Sequence, residues 1–226
     1  MVQWRALADV EPFRQLPERH AVVRTVDHPT VVLGSTQSEA LLAEAALAAA
    51  GVEMGRRRGG GGAVLLHPGD HLWVDAWIPR ADPLWVADVA EAAHWVGAWW
   101  LAALGDVGLD GVQAHQGKAE PGTYGGSICF AGRGPGELFH LGAKVSGVSQ
   151  WRSREGALFH TMAYRHWDVA PLVDLFEVDD VTRATWREDL AGAAVGIEDL
   201  KADQGAFAAV GDSLLASFMD WGFSAR

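Results

Sequence analysis

Residues 56–64 read Arg-Arg-Arg-Gly-Gly-Gly-Gly-Ala-Val, a run of three arginines and four glycines. Consecutive glycines adopt positive φ angles and let the backbone approach a ligand without a Cβ in the way. Their N–H groups can form an anion-binding concavity, and the arginines add donors for phosphate or carboxylate. The block matches neither a P-loop nor a Rossmann fingerprint. It predicts an anion-binding loop, with a solvated surface loop as the alternative.

A second block lies at residues 142–150, Gly-Ala-Lys-Val-Ser-Gly-Val-Ser-Gln. Lys144 sits inside a β-like run bracketed by glycines, in a chain with three lysines and fifteen arginines. Such a lysine could hold its ammonium against an anion in a cleft. The alternative is an edge-strand lysine that faces water and discourages aggregation.

Composition limits the classes of function. The chain has 226 residues, 49% of them hydrophobic, which suits one globular domain. A net charge of −11 argues against a nucleic-acid partner. The single cysteine excludes an intramolecular disulfide and favours a reducing compartment. No signal peptide is visible, and the longest apolar stretch, residues 95–104, is half a membrane span. We therefore expect a cytoplasmic protein with no membrane partner.

Periodicity predicts one α+β domain over residues 1–226, with a helical C-terminal tail from about residue 175. Predicted strands cover 20–26, 30–33, 63–66, 71–78, 127–130, 137–141, 143–150 and 157–164, with 63–66 and 71–78 as a hairpin. Predicted helices cover 36–50, 83–104, 169–177, 180–192 and 204–220, with Asp82 as the N-cap of the second.

The strand over 71–78 alternates clearly between two sets of side chains. Leu72, Val74, Ala76 and Ile78 form one face, and His71, Trp73, Asp75 and Trp77 form the other. We expect one face to pack in the core. The second face offers Trp73 and Trp77 as walls of an apolar pocket, with ordinary core packing as the alternative.

Taken together, the two blocks resemble the lipoate–protein ligase family of the biotin and lipoate ligase group. The resemblance covers roughly residues 20–175 and implies a mixed β-sheet flanked by helices. The matching positions are Pro29–Gly34, Gln37, Arg56, Arg57, Gly60, Gly61, Gly62, Ala63, Val64, Lys144–Gly147 and His160.

The resemblance implies a two-step acyl transfer. Lipoate or octanoate is activated with Mg²⁺-dependent ATP to an acyl-adenylate, and a lysine amine of a lipoyl domain then attacks its carbonyl. No tightly bound cofactor and no resident metal are expected. Lys144 would bind the carbonyl or phosphate oxygen, because an acyl anhydride needs cations to stabilise its transition state. The remaining adenylate or substrate contacts would come from the Arg/Gly loop including Arg58, and from Gly147, Ser149 and His160, with Trp73 and Trp77 lining the acyl slot.

The implied partner is the lipoyl carrier domain of a 2-oxoacid dehydrogenase complex or of a glycine cleavage protein. Ligases of this family normally need an accessory domain, and the tail after residue 175 is too small to supply it in full. A separate accessory chain is therefore a further possible partner.

Cys129 supports a rival mechanism. It precedes Lys144 by 15 residues, which resembles one branch of octanoyltransferases that carry octanoate on a cysteine thioester. Such an enzyme takes its acyl group from an octanoyl carrier protein and needs no ATP. Lys144 nearby would favour the thiolate. The alternative is a buried apolar cysteine. The two matching blocks are those that a ligase needs, so the sequence favours the ligase.

Two positions depart from the family pattern. Leu66 stands where the family has a histidine, with His67 one residue later, and Thr161 replaces a glycine. These departures leave open an inactive relative that binds lipoate. Intact Lys144 and the Arg/Gly loop argue against that reading.

Overall fold

A computed structural model describes residues 2–3, 11–200 and 205–222. The strands are β1 Val2–Gln3, β2 His20–Thr25, β3 Thr30–Leu33, β4 Glu53–Arg56, β5 Val64–Leu66, β6 His71–Pro79, β7 Val112–Ala114, β8 Leu138–His140, β9 Ala143–Arg152 and β10 Gly156–Tyr164. The helices are α1 Glu11–Arg14, α2 Glu44–Ala50, α3 Val89–Asp106, α4 Ala170–Val173, α5 Asp180–Leu190, α6 Ile197–Leu200 and α7 Ala206–Phe218, with 3₁₀ turns at Glu39–Leu41 and Cys129–Ala131.

The described strands form two sheets. The larger has the order β1-β2-β6-β10-β9-β8-β7, and the smaller has the order β4-β3-β5. Most neighbours are antiparallel, but β1–β2 and β3–β4 are parallel, so each sheet is mixed. The predicted α+β class, with mixed sheets flanked by helices, is confirmed.

Strand β6 is central to the larger sheet and is buried on both faces. Its residues Leu72, Val74, Ala76 and Ile78 pack in one core with helices α3 and α7, as the alternation predicts. On the opposite face, Trp73 packs with Val32 of β3 and Val64 of β5, which belong to the smaller sheet. The polar and reactive side chains lie in this second layer, between the two sheets.

Two predictions of strand structure are wrong. Residues 63–66 and 71–78 do not form a hairpin, because β5 pairs with β3 while β6 pairs with β2 and β10. Each strand pairs in the sheet where its apolar side chains are buried, which is the smaller sheet for β5 and the larger sheet for β6. The turn at Pro68-Gly69 connects the two sheets. Residues 127–130 are not a strand either. The amides of Ser127 and Ile128 bond the Tyr124 carbonyl, and this turn leads into the 3₁₀ turn that holds Cys129.

Two predicted helices begin later than expected. Helix α3 starts at Val89, where the Asp88 side chain accepts bonds from the amides of Ala90 and Glu91. Asp82, the predicted cap, instead binds Arg19. Helix α2 starts at Glu44, after the 3₁₀ turn at Glu39–Leu41. In the tail, the predicted helix over 204–220 is observed as α7, Ala206–Phe218. Residue 204, the first of the predicted range, lies outside the described residues.

Arg19 is a buried clasp between distant parts of the chain. Its guanidinium makes two bonds to the Asp82 carboxylate, at 2.9 and 2.7 Å, and one to the Trp221 carbonyl at 2.5 Å. The paired groups are almost fully buried. The clasp ties the start of β2 to the approach of α3 and to the segment after α7.

Candidate active site

The Arg/Gly loop of residues 56–62 begins at the end of β4, and both the loop and the turn at Gly34 beside it are packed too tightly for some side chains. A Cβ on Gly62 would lie 2.5 Å from the backbone of Ile128, and a Cβ on Gly34 would lie 1.9 Å from the Gly61 carbonyl oxygen. Gly61 itself has a φ of 94°, which L-residues rarely adopt. The loop is therefore wedged between the turn at Gly34 and the Cys129 segment.

Two arginines of the loop bind protein carbonyls. Arg56 donates to the carbonyls of Gly34 and Gln37, at 3.0 and 2.6 Å. Buried Arg57 donates to the carbonyls of Gly60 and Gly62, at 2.7 and 2.8 Å. Burial lowers the pKa of Arg57 from its ordinary value. These two arginines hold the glycines in place.

The third arginine lies apart from them. Arg58 is exposed, and its guanidinium lies 6.0 Å from the ring centre of Trp151 on β9. It does not line the cleft formed by the glycines.

Lys144 is fully buried and paired with a carboxylate. Its Nζ lies 2.7 Å from Glu137 Oε2 and donates to the Cys129 carbonyl at 2.9 Å. Glu137 also accepts bonds from the amides of Gly134 and Val148, which hold its side chain in one place. A buried ammonium is stable only with such compensation. The lysine is thus aimed at the segment that carries Cys129.

The Cys129 sulfur lies between the two sequence blocks. A Cβ on Gly61 would be 3.9 Å from Sγ, and a Cβ on Gly147 would be 3.8 Å from it. The structure therefore brings the glycine loop and the Lys-Val-Ser-Gly block together around one sulfur atom.

An open cleft and a small inner cavity meet at this sulfur. The cleft has a volume of about 360 Å³ and is lined by residues that include Gly60, Gly61, Gly62, Cys129, Lys144 and Ser149. The inner cavity, about 20 Å³, is lined by residues that include Arg57, Val64, Trp73, Cys129, Gly147 and His160. The inner space holds about one water, so it is too small for an alkyl chain in this conformation. The cleft is of the size that takes a small ligand.

His160 lies in a buried chain of charged groups that spans three strands. Its Nδ1 is 2.7 Å from Asp75 Oδ1 on β6, and Arg24 of β2 donates to the other Asp75 oxygen at 2.8 Å. Trp73 Nε1 also donates to Asp75, at 2.7 Å. Burial raises the pKa of Asp75, but pairing with His160 and Arg24 outweighs it and holds the pKa below its ordinary value.

Several predicted positions lie away from the cleft. Trp77 packs with Phe13 and Leu158, and its Nε1 donates to the Leu16 carbonyl, so it does not contribute a wall. Ala63 is buried and pairs with Ile128 across a single bridge, behind the loop. These residues stabilise the layers that carry the site.

The two departures from the family pattern fill structural positions. Leu66 is fully buried between the sheets, and His67 is exposed on a separate cleft. Thr161 is buried and donates to the Val74 carbonyl of β6 at 2.9 Å. Neither departure lies in the cleft at Cys129.

Sequence reasoning missed two residues that hold the site together. Asp75 was visible as a carboxylate in an otherwise apolar central strand. Glu137 was visible seven residues before Lys144. What marks these two carboxylates in the structure is that Asp75 pairs with buried Arg24 and Glu137 with buried Lys144. These pairs form only in the folded chain, so the sequence alone does not show them.

The family model described as the lipoyl protein ligase A/B catalytic domain matches residues 10–219 of this chain. The chain belongs to this family. The predicted family, and the predicted class of lipoate–protein ligase-like acyl ligase or transferase, are thereby confirmed. No curated protein matches the sequence.

Solved members of the lipoate ligase group share the fold. A bipartite lipoate protein ligase from Thermoplasma acidophilum, studied with its E2 lipoyl domain, is 18% identical, with a TM-score of 0.67 over 88% of this chain and 70% of that one. A lipoate-protein ligase A bound with ATP is 16% identical, with a TM-score of 0.56 over 92% and 84%. LipL1 of P. falciparum, in complex with lipoate, is 11% identical, with a TM-score of 0.61 over 89% and 50%.

The residues that the structure describes lack two other kinds of feature. None of their helices combines the length and apolarity needed to cross a membrane. They also contain no group of three or more His, Cys, Asp or Glu side chains placed to hold a metal ion.

Proposed function

We propose that this lipoate ligase family member transfers an octanoyl or lipoyl group to a carrier-domain lysine through a thioester on Cys129. The observation that carries the proposal is the position of the sulfur. Cys129 lines the open cleft, and its sulfur lies beside Gly61 of the glycine loop and Gly147 of the Lys-Val-Ser-Gly block. A nucleophile at the meeting point of both blocks can reach any acyl carbonyl bound there.

The surroundings of the sulfur suit acyl transfer. Lys144 donates to the Cys129 carbonyl and places a positive charge at this segment, which stabilises an oxyanion formed on the acyl group. Glu137 compensates that charge, so the site as a whole suits a neutral thioester. The glycines leave backbone N–H groups accessible along one wall of the cleft.

Partner and compartment follow from the same chemistry. The proposed acceptor is a lipoyl carrier domain, as in the archaeal relative studied with its E2 lipoyl domain. The proposed donor is an octanoyl carrier protein. A reactive free thiol suits the reducing cytoplasm.

A second candidate is the ATP-dependent ligase, which the sequence favours. A relative of the same fold is bound with ATP, and Lys144 and Arg133 give the cleft positive charge for phosphates. Mg²⁺ is usually held by one or two carboxylates together with substrate phosphates, and Glu137 is the carboxylate that lines this cleft. This route would use octanoate or lipoate as the free acid.

One experiment separates the two routes. The protein is incubated with octanoyl carrier protein without ATP, and its intact mass is measured before and after an apo lipoyl domain is added. We expect an octanoyl adduct on the wild type, its transfer to the domain, and neither event for Cys129→Ser. ATP-dependent modification of the domain by Cys129→Ser at the wild-type rate would overturn the thioester route in favour of the ligase. Absence of modification with either donor would indicate a binding protein.

A further inference from the structure

The inner cavity contains a histidine that the acyl transfer described above does not use. His160 is buried, with 3% of its surface exposed, and lines the cavity together with Cys129. Its Nε2 has no hydrogen-bond partner among the described residues. A buried ring nitrogen left without a partner costs free energy, and at His160 this nitrogen belongs to a residue that lines the same cavity as the free thiol of Cys129.

The partners of His160 decide which ring nitrogen carries the proton. Asp75 accepts bonds from Arg24 and Trp73, and these donors keep its carboxylate ionised. The Nδ1 of His160 therefore donates its hydrogen to Asp75 Oδ1. A neutral ring with its hydrogen on Nδ1 has its lone pair on Nε2, and His160 lines the inner cavity together with Cys129.

We propose that His160 accepts the proton of the Cys129 thiol and that Asp75 and Arg24 position it for this role. The proposal rests on the thioester route of the preceding section. The cavity between the two residues has room for about one water, so the proton can pass directly or through a single water.

Both transfers then balance. In the first, the Cys129 proton moves to His160 Nε2, the sulfur attacks the donor thioester, and the carbon bond to the donor sulfur breaks. The donor thiol leaves with the proton from His160. In the second, the acceptor lysine amine attacks the Cys129 thioester and gives its proton to His160. The amide bond forms, the bond to Cys129 breaks, and the sulfur takes the proton back.

The charged and titratable groups facing His160 come from four elements. They are Asp75 of β6, Arg24 of β2, Arg57 of the loop after β4, and Cys129 of the 3₁₀ turn. Of these, Cys129 is the nucleophile that an alkylating reagent labels. A pH profile of the thiol therefore reports on this pair.

The test is the rate of Cys129 alkylation by iodoacetamide as a function of pH, followed by intact mass. Cys129 is the single cysteine of the chain, so the adduct has one origin. We expect His160→Gln to raise the midpoint of the alkylation profile above that of the wild type by about one pH unit or more. Asp75→Asn, which keeps the shape of the side chain, is expected to raise it by a smaller amount.

The matched control is His71→Gln. His71 is a buried histidine of β6 that does not line the cavity, so this variant should keep the wild-type profile. Thermal unfolding of each variant shows whether it is folded. An unchanged profile in folded His160→Gln would overturn the proposal. If His160→Gln does not fold, Asp75→Asn decides by the same criterion.

The two hypotheses fail separately. If the wild type forms no octanoyl thioester, the thioester route fails, while the alkylation profile still measures the coupling of Cys129 to His160. If the wild type forms the thioester and folded His160→Gln forms it equally fast at every pH, the thioester route stands and the role of His160 fails.

Discussion

The two faces of the larger sheet are built from the same strands and have opposite chemistry. Toward α3 and α7, β6 presents Val74 and Ile78 to an apolar core that includes Trp99. Toward the smaller sheet, it presents Asp75, which is bonded to Arg24 and His160. Side chains alternate along a strand, so one strand can serve both purposes.

The difference teaches where stability and reactivity come from. The helix-side face stabilises the protein by burying apolar surface. The opposite face holds buried charges that are satisfied only by one another, and such networks add little net stability. Perturbing the first face should lower stability and leave the chemistry unchanged, whereas perturbing the second should change the chemistry.

The largest expected effect comes from Lys144→Ala, on the reactive side. Removal of the ammonium leaves Glu137 buried and unpaired, which costs about 3–5 kcal/mol of unfolding free energy. Loss of the charge near the reacting carbonyl lowers the acyl-transfer rate about 10²–10³-fold. Urea unfolding and a transfer assay measure the two effects.

The double variant Lys144→Met with Glu137→Gln separates these effects. It removes both charges and keeps similar volumes, so most of the stability should return while transfer remains lost. Near-normal transfer by a folded protein without Lys144 would contradict the role of this lysine.

The next largest effect is expected from Ile78→Ala on the helix-side face of β6. Truncation of this buried side chain should lower the free energy of unfolding by about 2–5 kcal/mol. Transfer per folded molecule should stay at the wild-type level well below the melting temperature. A clear loss of transfer in the folded variant would mean that the two faces are not separate in function.

A smaller effect is expected from Gly61→Val in the loop. Its φ of 94° is strained for valine, at about 1–3 kcal/mol, and the new Cβ would lie 3.0 Å from an Arg57 nitrogen. The expected result is a raised KM for the acyl donor, because the cleft wall moves.

Gly51→Val is the matched control for that variant. Gly51 also has a positive φ, but nothing lies within 4 Å of its added Cβ and it does not line the cleft. It should lose stability with an unchanged KM. Equal KM values in the two variants would show that the loop does not take part in binding the acyl donor.

The smallest expected effect is the contribution of Asp75 to the free energy of unfolding at acid pH. The pKa of Asp75 in the folded state is held below its ordinary value. The carboxylate therefore contributes stability above pH of about 4, and this contribution is lost as pH falls through the folded-state value. Unfolding free energies of the wild type and of Asp75→Asn should converge as the pH falls below about 4. A difference that stays constant over this range would mean that Asp75 does not titrate in the folded protein.

Sequence patterns predicted those parts of the fold that depend on local periodicity. Strands β9 and β10 and the two faces of β6 follow from alternation, and the meeting of the glycine loop with Lys144 follows from the family resemblance. The placement of β5 and β6 in different sheets could not be predicted, because strand pairing is a long-range choice. The 3₁₀ turn at Cys129 was missed because its bonds to Tyr124 compete with the β-propensity of Ile128 and Phe130.

The site could be predicted only in part for a related reason. The blocks around Gly61 and Lys144 are continuous in sequence, so they carry a recognisable pattern. Glu137 and Asp75 act through partners on other strands, and single carboxylates have no pattern of their own. Whether the reaction uses a thioester or an adenylate is decided by how the side chains around Cys129 are placed, which the sequence alone does not contain.

The Arg19 clasp has a consequence for the synthesis of the protein. Arg19 and Trp221 are 202 positions apart in the chain, yet Arg19 donates a part-buried hydrogen bond to the Trp221 carbonyl, and Trp221 packs against the core that contains α3 and α7. A ribosome that adds about 5–20 residues per second incorporates Arg19 about ten seconds or more before it incorporates Trp221. During this interval Asp82 is available to Arg19 while Trp221 is not, and the apolar face of β6 lacks the cover of α7. Folding is therefore completed only after Trp221 has been synthesised. Until then the apolar face of β6 is exposed and can bind a chaperone.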